Sequence, residues 1–318
     1  MEELTALLRR QAQLLTRAQA HAHGVSDHAI IHRTRRPGGG WTRVLPGVYA
    51  TTTGALTVAQ QRQAALLYAG PDALLGGLTA AAAPGLRQLL ALTTVEILVP
   101  HTCKRATRGL VVIHRSTRMP PQRVLVDGLP CCPVDRAVVD ACRRLTDLRS
   151  VRALVAESVQ RGRVGVADLR REVEAGASSG SALTSRALAE VEAGVRSAPE
   201  AELRELIALA SLPEPRWNAD LAVAGSWLAR PDAWWPEAAL VCEVDSREWH
   251  LSPADWERTM RRHNRMQVAG LTVLHVPPSR LRREPMAVLA ELAAAYARGA
   301  AVGPAPSVIQ AEQLRRGA

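Results

Sequence analysis

The alternation of apolar and polar residues divides the first 55 positions into short helices and a β-hairpin. Thr16 begins a helix as its cap, and Gln19 three residues later completes a capping box. Gly24 ends that helix, as glycine commonly does, and the hairpin turns at Pro46-Gly47. The pattern predicts helices over 4–13, 16–24 and 26–36, followed by a strand pair over 41–49.

Helix, tight turn, helix and β wing form the plan of a winged helix-turn-helix, in which the second helix of the motif enters a DNA groove. On a helical wheel of 26–36, the side predicted to face the core consists of Ile30, Ile31 and Thr34. The opposite side is basic and consists of Ala29, His32, Arg33 and Arg36, flanked by His28 and Arg35. This face predicts DNA contact through His32, Arg33 and Arg36. The alternative is a solvated surface of a small helical domain.

Positions 56–195 predict a middle α/β segment that passes from strands into helices. A helix is expected over 57–68, and the glycine cluster at 176–180 marks a loop or linker. The expected strands are 95–100, 110–114 and 123–127, and helices fill 133–195.

Positions 196–295 follow the order helix, strand, strand, strand, helix, strand, which is the αβββαβ core of restriction-endonuclease-like folds. Pro253 begins the second helix and Gly270 ends it, and Ala224-Gly225 joins the first two strands. The predicted helices are 198–210 and 253–269, and the predicted strands are 217–223, 226–234, 238–245 and 271–276. The whole chain is therefore expected to be α/β, of the α+β kind, with a tail at 296–318.

An acidic residue interrupts the most apolar of these strands. Glu243 lies inside Leu240–Val244, and an ionised carboxylate there is costly unless it is paired or metal-bound. Side chains alternate along a strand, so Asp245 points to the same side as Glu243, and Asp232, late in the preceding strand, reaches the same edge. Three converging carboxylates form a hard oxygen site that suits Mg²⁺ or Mn²⁺. The alternative is that Glu243 pairs with an arginine such as Arg262.

Charge, cysteines and hydropathy narrow the choice of partners. The formal net charge is +10 and the sequence pI is near 10.5, which favours nucleic acid; an arginine-rich coding bias is the alternative. The five cysteines include no CxxC pair, so no zinc site is expected. Neither a signal-peptide pattern nor an apolar run of about 18 residues is present. We therefore expect a cytoplasmic protein with no membrane partner, for which a homodimer is one possible state.

The first 160 residues contain the segments LLTRAQAHAHGVSDHAIIHR, WTRVLPGVYA and VDGLPCCPVDRAVVDACRRL. Together they resemble the N-terminal part of AbiEi-type antitoxin proteins. The resemblance implies a winged helix that binds its own promoter DNA. It does not make this chain a toxin or an antitoxin, because the catalytic part of any toxin in that family is a separate protein.

The acidic residues have a spacing of their own, in which ten residues separate Pro231-Asp232 from Glu243-Val244-Asp245. This spacing is similar to that of PD-(D/E)XK nucleases. The longer string RPDAWWPEAALVCEVDSREWH resembles bacterial proteins similar to very-short-patch-repair endonucleases, over about 195–295. The resemblance implies Asp232, Glu243 and Asp245 as catalytic metal ligands for Mg²⁺. It also implies assistance from His250 and from Glu200, which lies in SAPEAELR.

One position departs from the PD-(D/E)XK pattern. Asp245 stands where the motif has lysine, and Lys104, the only lysine, lies far upstream. The repair-type nucleases also do without that lysine, so Asp245 is expected to bind metal and His250 to act as general acid or base. The alternatives are a surface histidine at 250 and a solvated helix glutamate at Glu200.

A basic stripe is predicted on the helix over 253–269. Arginines recur there at i, i+3, i+4 and i+7, at positions 258, 261, 262 and 265. Because this helix is expected beside the acidic residues, Arg262 and Arg265 are predicted to orient DNA phosphates; a solvated face is the alternative. Trp234, Trp235 and Trp249 are expected to pack in the core or its rim, with a wedge into a base stack as the other option.

These patterns together predict a DNA-binding, metal-dependent endonuclease. The alternative is an antitoxin-like transcriptional regulator whose nuclease fold is catalytically degenerate. An adaptor that binds only protein has no positive support in the sequence. Metal binding separates the first two, because a nuclease needs a divalent ion and a regulator does not.

Overall fold

The computed structural model describes residues 2–35, 40–82, 93–244 and 253–311, with the backbone alone at 253–256 and 258. The chain divides into two compact units, Met1–Leu188 and Ala189–Ala318. Both units combine helices with β-sheets, so the expected α+β fold class is confirmed. Within the described ranges, no helix is long and apolar enough to span a bilayer.

The first unit opens with helices and a three-stranded antiparallel sheet, in the order β1-β3-β2. The elements are α1 (Glu2–Arg10), β1 (Leu14–Thr16), α2 (Arg17–Ala22), α3 (Asp27–Arg35), β2 (Thr42–Leu45) and β3 (Val48–Ala50). The capping box of Thr16 and Gln19 is present. Strand β1 was not expected, and α1 ends at Arg10 because Ala12 and Gln13 adopt positive φ (52° and 68°) and turn the chain into that strand.

The middle of the chain forms a five-stranded mixed sheet followed by helices. Its elements are α4 (Val58–Ala69), β4 (Leu74–Leu75), α5 (Gly77–Ala82), β5 (Val95–Pro100), β6 (Val111–Ser116), β7 (Val124–Val126), β8 (Leu129–Cys131), α6 (Val134–Cys142), α7 (Leu148–Gln160), α8 (Val166–Ala175) and α9 (Ala182–Glu192). The sheet order is β6-β5-β4-β8-β7, and β5 and β6 run parallel. The three predicted strands are therefore present, while β4 and β8 were not expected.

Two ion pairs with buried carboxylates stabilise this middle region. Arg136 and Asp140 lie on successive turns of α6, with 2.6 Å between Nε and Oδ2. Arg144 reaches Glu96 on β5, with 2.5 Å between Nη2 and Oε2. Buried charges require such partners, so Arg136, Asp140 and Arg144 serve the fold through these contacts.

The second unit contains two sheets, with the orders β14-β13-β12-β9 and β11-β10-β15. Its elements are α10 (Ala198–Ala208), β9 (Arg216–Trp217), β10 (Leu221–Val223), β11 (Ser226–Ala229), β12 (Ala233–Trp235), a 3-10 turn (Pro236–Ala238), β13 (Leu240–Val244), α11 (Pro253–Val268), β14 (Thr272–Val276), α12 (Pro278–Arg283), α13 (Pro285–Val302) and β15 (Val308–Gln310). Strand β15 pairs with β10, so part of the predicted tail belongs to the fold.

The predicted hairpin over 217–234 is divided between these two sheets. Its outer halves, β9 and β12, join the four-stranded sheet, while β10 and β11 join the three-stranded one. Asn218 adopts a positive φ of 50° where the first strand leaves the sheet. Pro231 lies where the second strand is interrupted, since proline cannot donate to a strand ladder.

Alternation along β13 assigns its side chains to two faces. Leu240, Cys242 and Val244 pack into a core built with α10, α12 and α13. Val241 packs on the other face, against Met266 of α11. Glu243 has the same parity as Val241, so it faces α11.

Candidate functional site

Asp232 and Glu243 lie side by side on the two inner strands of the four-stranded sheet, where β12 begins and β13 ends. The antiparallel register that pairs Ala233 with Cys242 brings Asp232 opposite Glu243 on the face toward α11. The Asp232 carboxylate accepts a hydrogen bond from the backbone N–H of Val244, with 2.7 Å between N and Oδ2. We call these two residues the carboxylate pair. Their convergence is the arrangement that the strand pattern predicts.

The environment of Asp232 resists its ionisation. The pKa of this carboxyl is raised to about 6, first by burial and then by the charges of Glu200 and Glu243. The hydrogen bond from Val244 and the charge of Arg262 act in the opposite direction. An acid whose charged form is disfavoured by burial and by like charges is a typical feature of metal and catalytic sites.

Glu243 is 4% exposed and contacts Arg262 of α11. The Arg262 Nη2 lies 2.5 Å from the Glu243 Oε2, and the arginine side chain keeps about a third of its exposure (34%). The alternative in which Glu243 is a buried glutamate paired with Arg262 is therefore seen in the structure. Arg262 consequently lies at the carboxylate pair, where its charge lowers the pKa of Asp232.

Glu200 is 1% exposed and is surrounded by donors, so it is not a solvated helix residue. Its Oε1 accepts from the Nη2 of Arg204 at 2.8 Å and from the Nδ2 of Asn218 at 2.7 Å. The Asn218 N–H in turn donates to the backbone carbonyl of Asp232 at 3.1 Å. Glu200 is thus linked through Asn218 to the strand edge that carries Asp232.

The donor set of the carboxylate pair fits Mg²⁺ or Mn²⁺, since both side chains offer hard oxygen atoms in a buried setting. Asp245 and His250, the other two predicted site residues, lie outside the described residues. Among the residues that the structure describes, no three His, Cys, Asp or Glu side chains are grouped closely enough to hold a metal ion.

Two histidines beside the carboxylate pair, His263 and His275, were not predicted from the sequence. His275 on β14 is in register with Glu243 on β13, and residues paired in this way share a face. The His263 Nδ1 lies 2.8 Å from the His275 Nε2, and the two rings stack 5.0 Å apart. Burial and the neighbouring ring lower the pKa of His263. One pattern in the sequence could have found His275. Its strand lies parallel to β13, and in that pairing His275 falls opposite Glu243.

The arginines of the predicted basic stripe on α11 do not share one environment. Arg261 pairs with Glu257 at 3.1 Å, Arg262 contacts Glu243, and Arg265 is exposed. The side chain at 258 lies outside the described residues. Trp234 and Trp235 are buried core residues, as expected, and Trp249 falls outside the described ranges.

Helix α3 presents a different outer face from the one that the helical wheel predicted. Ile30 is buried, but Ile31 is 48% exposed, so its predicted place in the core is wrong. Arg33 is half-buried, with its guanidinium 5.0 Å from the centre of the Trp41 ring. The buried side of the helix is shifted from the wheel, because Ala29, which the wheel placed on the outer face, packs with Trp41 against the cluster that contains Ile30. The exposed residues of this helix are His28, Ile31, His32 and Arg35, and Arg36 lies outside the described residues.

Comparison with known proteins gives relatives without a described activity. Two uncharacterized proteins, MT2308 of Mycobacterium tuberculosis (strain CDC 1551 / Oshkosh) and Rv2248 of Mycobacterium tuberculosis (strain ATCC 25618 / H37Rv), are each 28% identical to this chain over 273 residues. Each alignment covers 80% of this chain and 92% of the relative. No family model matches, and no solved structure is similar enough to count as a match.

Proposed function

We propose that the protein is a DNA-binding, divalent-metal-dependent endonuclease that hydrolyses phosphodiester bonds at the carboxylate pair. The observation that carries the proposal is the position of Asp232 beside Glu243 on the two inner strands of one sheet, with the pKa of Asp232 raised to about 6. A fold gains nothing from placing two carboxylates together in this way. A cation-binding site gains from this arrangement, because the bound ion replaces the repulsion between the two carboxylates by attraction.

Each residue of the site has a proposed task. Asp232 and Glu243, together with Asp245, would hold Mg²⁺ or Mn²⁺. The bound ion would supply a Lewis acid and an activated water. Arg262, which contacts Glu243, is the proposed partner of the DNA phosphate. Glu200 fixes the strand edge through Asn218, and His250 is the proposed proton donor or acceptor.

The N-terminal helices are the proposed duplex-binding part. The order of α2, turn, α3 and the β2–β3 hairpin supports a winged helix-turn-helix, and the net charge of +10 favours an anionic partner. His32 and Arg35 lie on the exposed side of α3. Since DNA is the proposed substrate, we also infer a cytoplasmic location, and light scattering of the purified protein would decide between a monomer and a homodimer.

A cleavage assay tests the proposal directly. Plasmid, single-stranded and mismatched DNA are incubated with Mg²⁺ or Mn²⁺, with EDTA as the control. The wild type should cleave at least one substrate with metal, and Glu243→Gln should reduce cleavage to the EDTA level. Glu257→Gln, an exposed glutamate on α11 that pairs with Arg261, should cleave like the wild type. Cleavage that survives in Glu243→Gln would refute the proposal.

The second candidate function is transcriptional regulation by an antitoxin-like repressor with a degenerate nuclease fold. The contact between Glu243 and Arg262 favours it, because a carboxylate neutralised by a guanidinium needs no metal. The two candidates differ in a thermal-shift experiment. A metal that binds only the folded protein at a hundredfold excess over Kd adds about 2.7 kcal/mol to its stability. Mn²⁺ should therefore raise the Tm of an endonuclease and leave that of a regulator unchanged.

A further inference from the structure

A cavity of about 490 Å³ lies in the second unit between α11 and the three-stranded sheet. It is largely apolar, and it is lined by Val223, Ser226, Trp227, Leu228, Asn264, Arg265, Val268, Ala269 and Ser307. Its size falls within the range of small-ligand pockets, roughly 300–1,000 Å³. We call it the Trp227 cavity.

The tryptophan that gives the cavity its name is held in an exposed position. Trp227 is 56% exposed, and Val268 opposite it on α11 is 90% exposed. The Trp227 Nε1 donates to the Oδ1 of Asp220 at 3.2 Å, and the Nε of Arg230 donates to the same oxygen at 2.7 Å. The indole is therefore fixed by a neutralised carboxylate while its surface remains open. Contiguous exposed apolar surface of this kind usually marks a binding site.

A cation and several hydrogen-bonding groups border this apolar surface. The guanidinium of Arg265 is exposed and makes no ion pair or hydrogen bond with any residue that the structure describes. Asn264 precedes it and carries an amide that can both donate and accept. Ser226 and Ser307 add hydroxyl groups at the rim. An aromatic face, an amide and a single open cation are complementary to a base and its phosphate.

We propose that the Trp227 cavity binds one unstacked nucleotide of a DNA strand, with the base against the Trp227 ring and the phosphate on Arg265. This inference rests on the proposed function and adds its substrate class, which is DNA with an unpaired or single-stranded segment. Arg262 and Arg265 are three residues apart on one helix, so their positions differ by about 4.5 Å along its axis. A nucleotide in the cavity would therefore lie next to the phosphate at the carboxylate pair.

The experiment measures binding in EDTA, so that it does not depend on cleavage. Fluorescence anisotropy is recorded for a labelled single-stranded oligothymidine and for a fully paired duplex, with wild type, Trp227→Ala and Trp227→Phe. Stacking is worth about 1–3 kcal/mol per base, so Trp227→Ala should weaken single-strand binding about 5- to 150-fold. Trp227→Phe should recover part of that loss, and duplex affinity should not change. Met286→Ala, which removes an exposed apolar side chain on α13, is the matched control.

Arg265 gives a second, electrostatic readout of the same site. Each phosphate contact on a single strand contributes about 0.7 to the slope of log affinity against log salt concentration. Arg265→Gln should flatten that slope by this amount for the single strand and leave the duplex slope unchanged. The proposal is overturned if the wild type does not bind the single strand. It is also overturned if the alanine and phenylalanine variants behave alike, or if both DNA forms lose affinity equally. Absent cleavage with intact Trp227-dependent binding would refute the nuclease and leave the cavity assignment standing.

Discussion

Replacing Asp232 by asparagine should stabilise the metal-free protein. The amide oxygen of the introduced asparagine can still accept from the Val244 N–H, as the Asp232 Oδ2 does now at 2.7 Å, while the buried charge is removed. Burial holds the pKa of Asp232 at about 6, above the ordinary value of 3.8. This difference of about 2 pH units corresponds to about 3 kcal/mol. A carboxyl with a raised pKa costs stability where it must ionise, so the full gain is expected near pH 8.

The stability gain of Asp232→Asn depends on pH. As the pH falls from 8 through 6, the folded protein takes up the proton first and the cost of Asp232 shrinks. The expected gain is then about 1 kcal/mol at pH 4.5 and smaller still below the unfolded pKa. Wild type and Asp232→Asn should therefore differ most in alkaline buffer and converge in acid.

The assay is guanidinium unfolding in EDTA at several pH values, followed by tryptophan emission. Six of the seven tryptophans lie between positions 217 and 256, so emission reports mainly on the second unit. Asp220→Asn is the matched control, and its expected effect on stability has the opposite sign. Its hydrogen bonds from Arg230 hold the pKa of Asp220 below the usual range, so losing that charge should destabilise at pH 8. If Asp232→Asn is no more stable than wild type at pH 8, or gains equally at pH 4.5, the argument from buried charge is wrong.

Three further substitutions test other contacts. Arg262→Gln removes the guanidinium that touches Glu243. The metal-free protein should lose stability, and the loss should approach the roughly 3–5 kcal/mol typical of broken buried pairs. An unchanged urea midpoint would contradict a stabilising pair. The folded protein holds the pKa of His263 below its unfolded value, so stability is lost as the pH drops below that unfolded pKa. His263→Gln should therefore show a weaker loss of stability between pH 7 and 5. An identical loss in the variant would show that His263 does not cause it. Arg35→Gln should weaken duplex binding and flatten its salt dependence by about one, whereas Arg33→Gln should lower Tm through the lost contact with Trp41; a salt slope unchanged by Arg35→Gln would exclude α3 as the phosphate-binding helix.

Local signals in the sequence predicted the elements that local chemistry controls. Helix α11 was expected over 253–269 and is seen over Pro253–Val268, because a proline begins it and Gly270 ends it. The register of β12 and β13 followed from alternation and a short turn. Both predictions depend on neighbours within a few residues.

Features that depend on distant contacts were not predictable in this way. The hairpin is split between two sheets because Asn218 takes a positive φ and β15, some 90 residues later, supplies a partner for β10. The exposed position of Ile31 reflects a buried side of α3 that runs through Ala29 and Ile30, against which the distant Trp41 also packs. The proximity of His263 and His275 requires both the parallel pairing of β13 with β14 and the placement of α11, neither of which is encoded locally.

The two candidate functions differ in what compensates the negative charges of the carboxylate pair. Arg262 neutralises Glu243, and this contact alone suits a regulator as well as an enzyme. Asp232 is different, because at neutral pH its ionised form opposes folding by about 3 kcal/mol. A regulator gains nothing from this charge, since asparagine would accept the same hydrogen bond from Val244. A divalent ion would turn the cost into binding energy by pairing with a carboxylate whose ionised form burial, Glu200 and Glu243 disfavour. The unfavourable ionisation of Asp232 is therefore the physical reason for preferring metal-dependent hydrolysis over regulation alone.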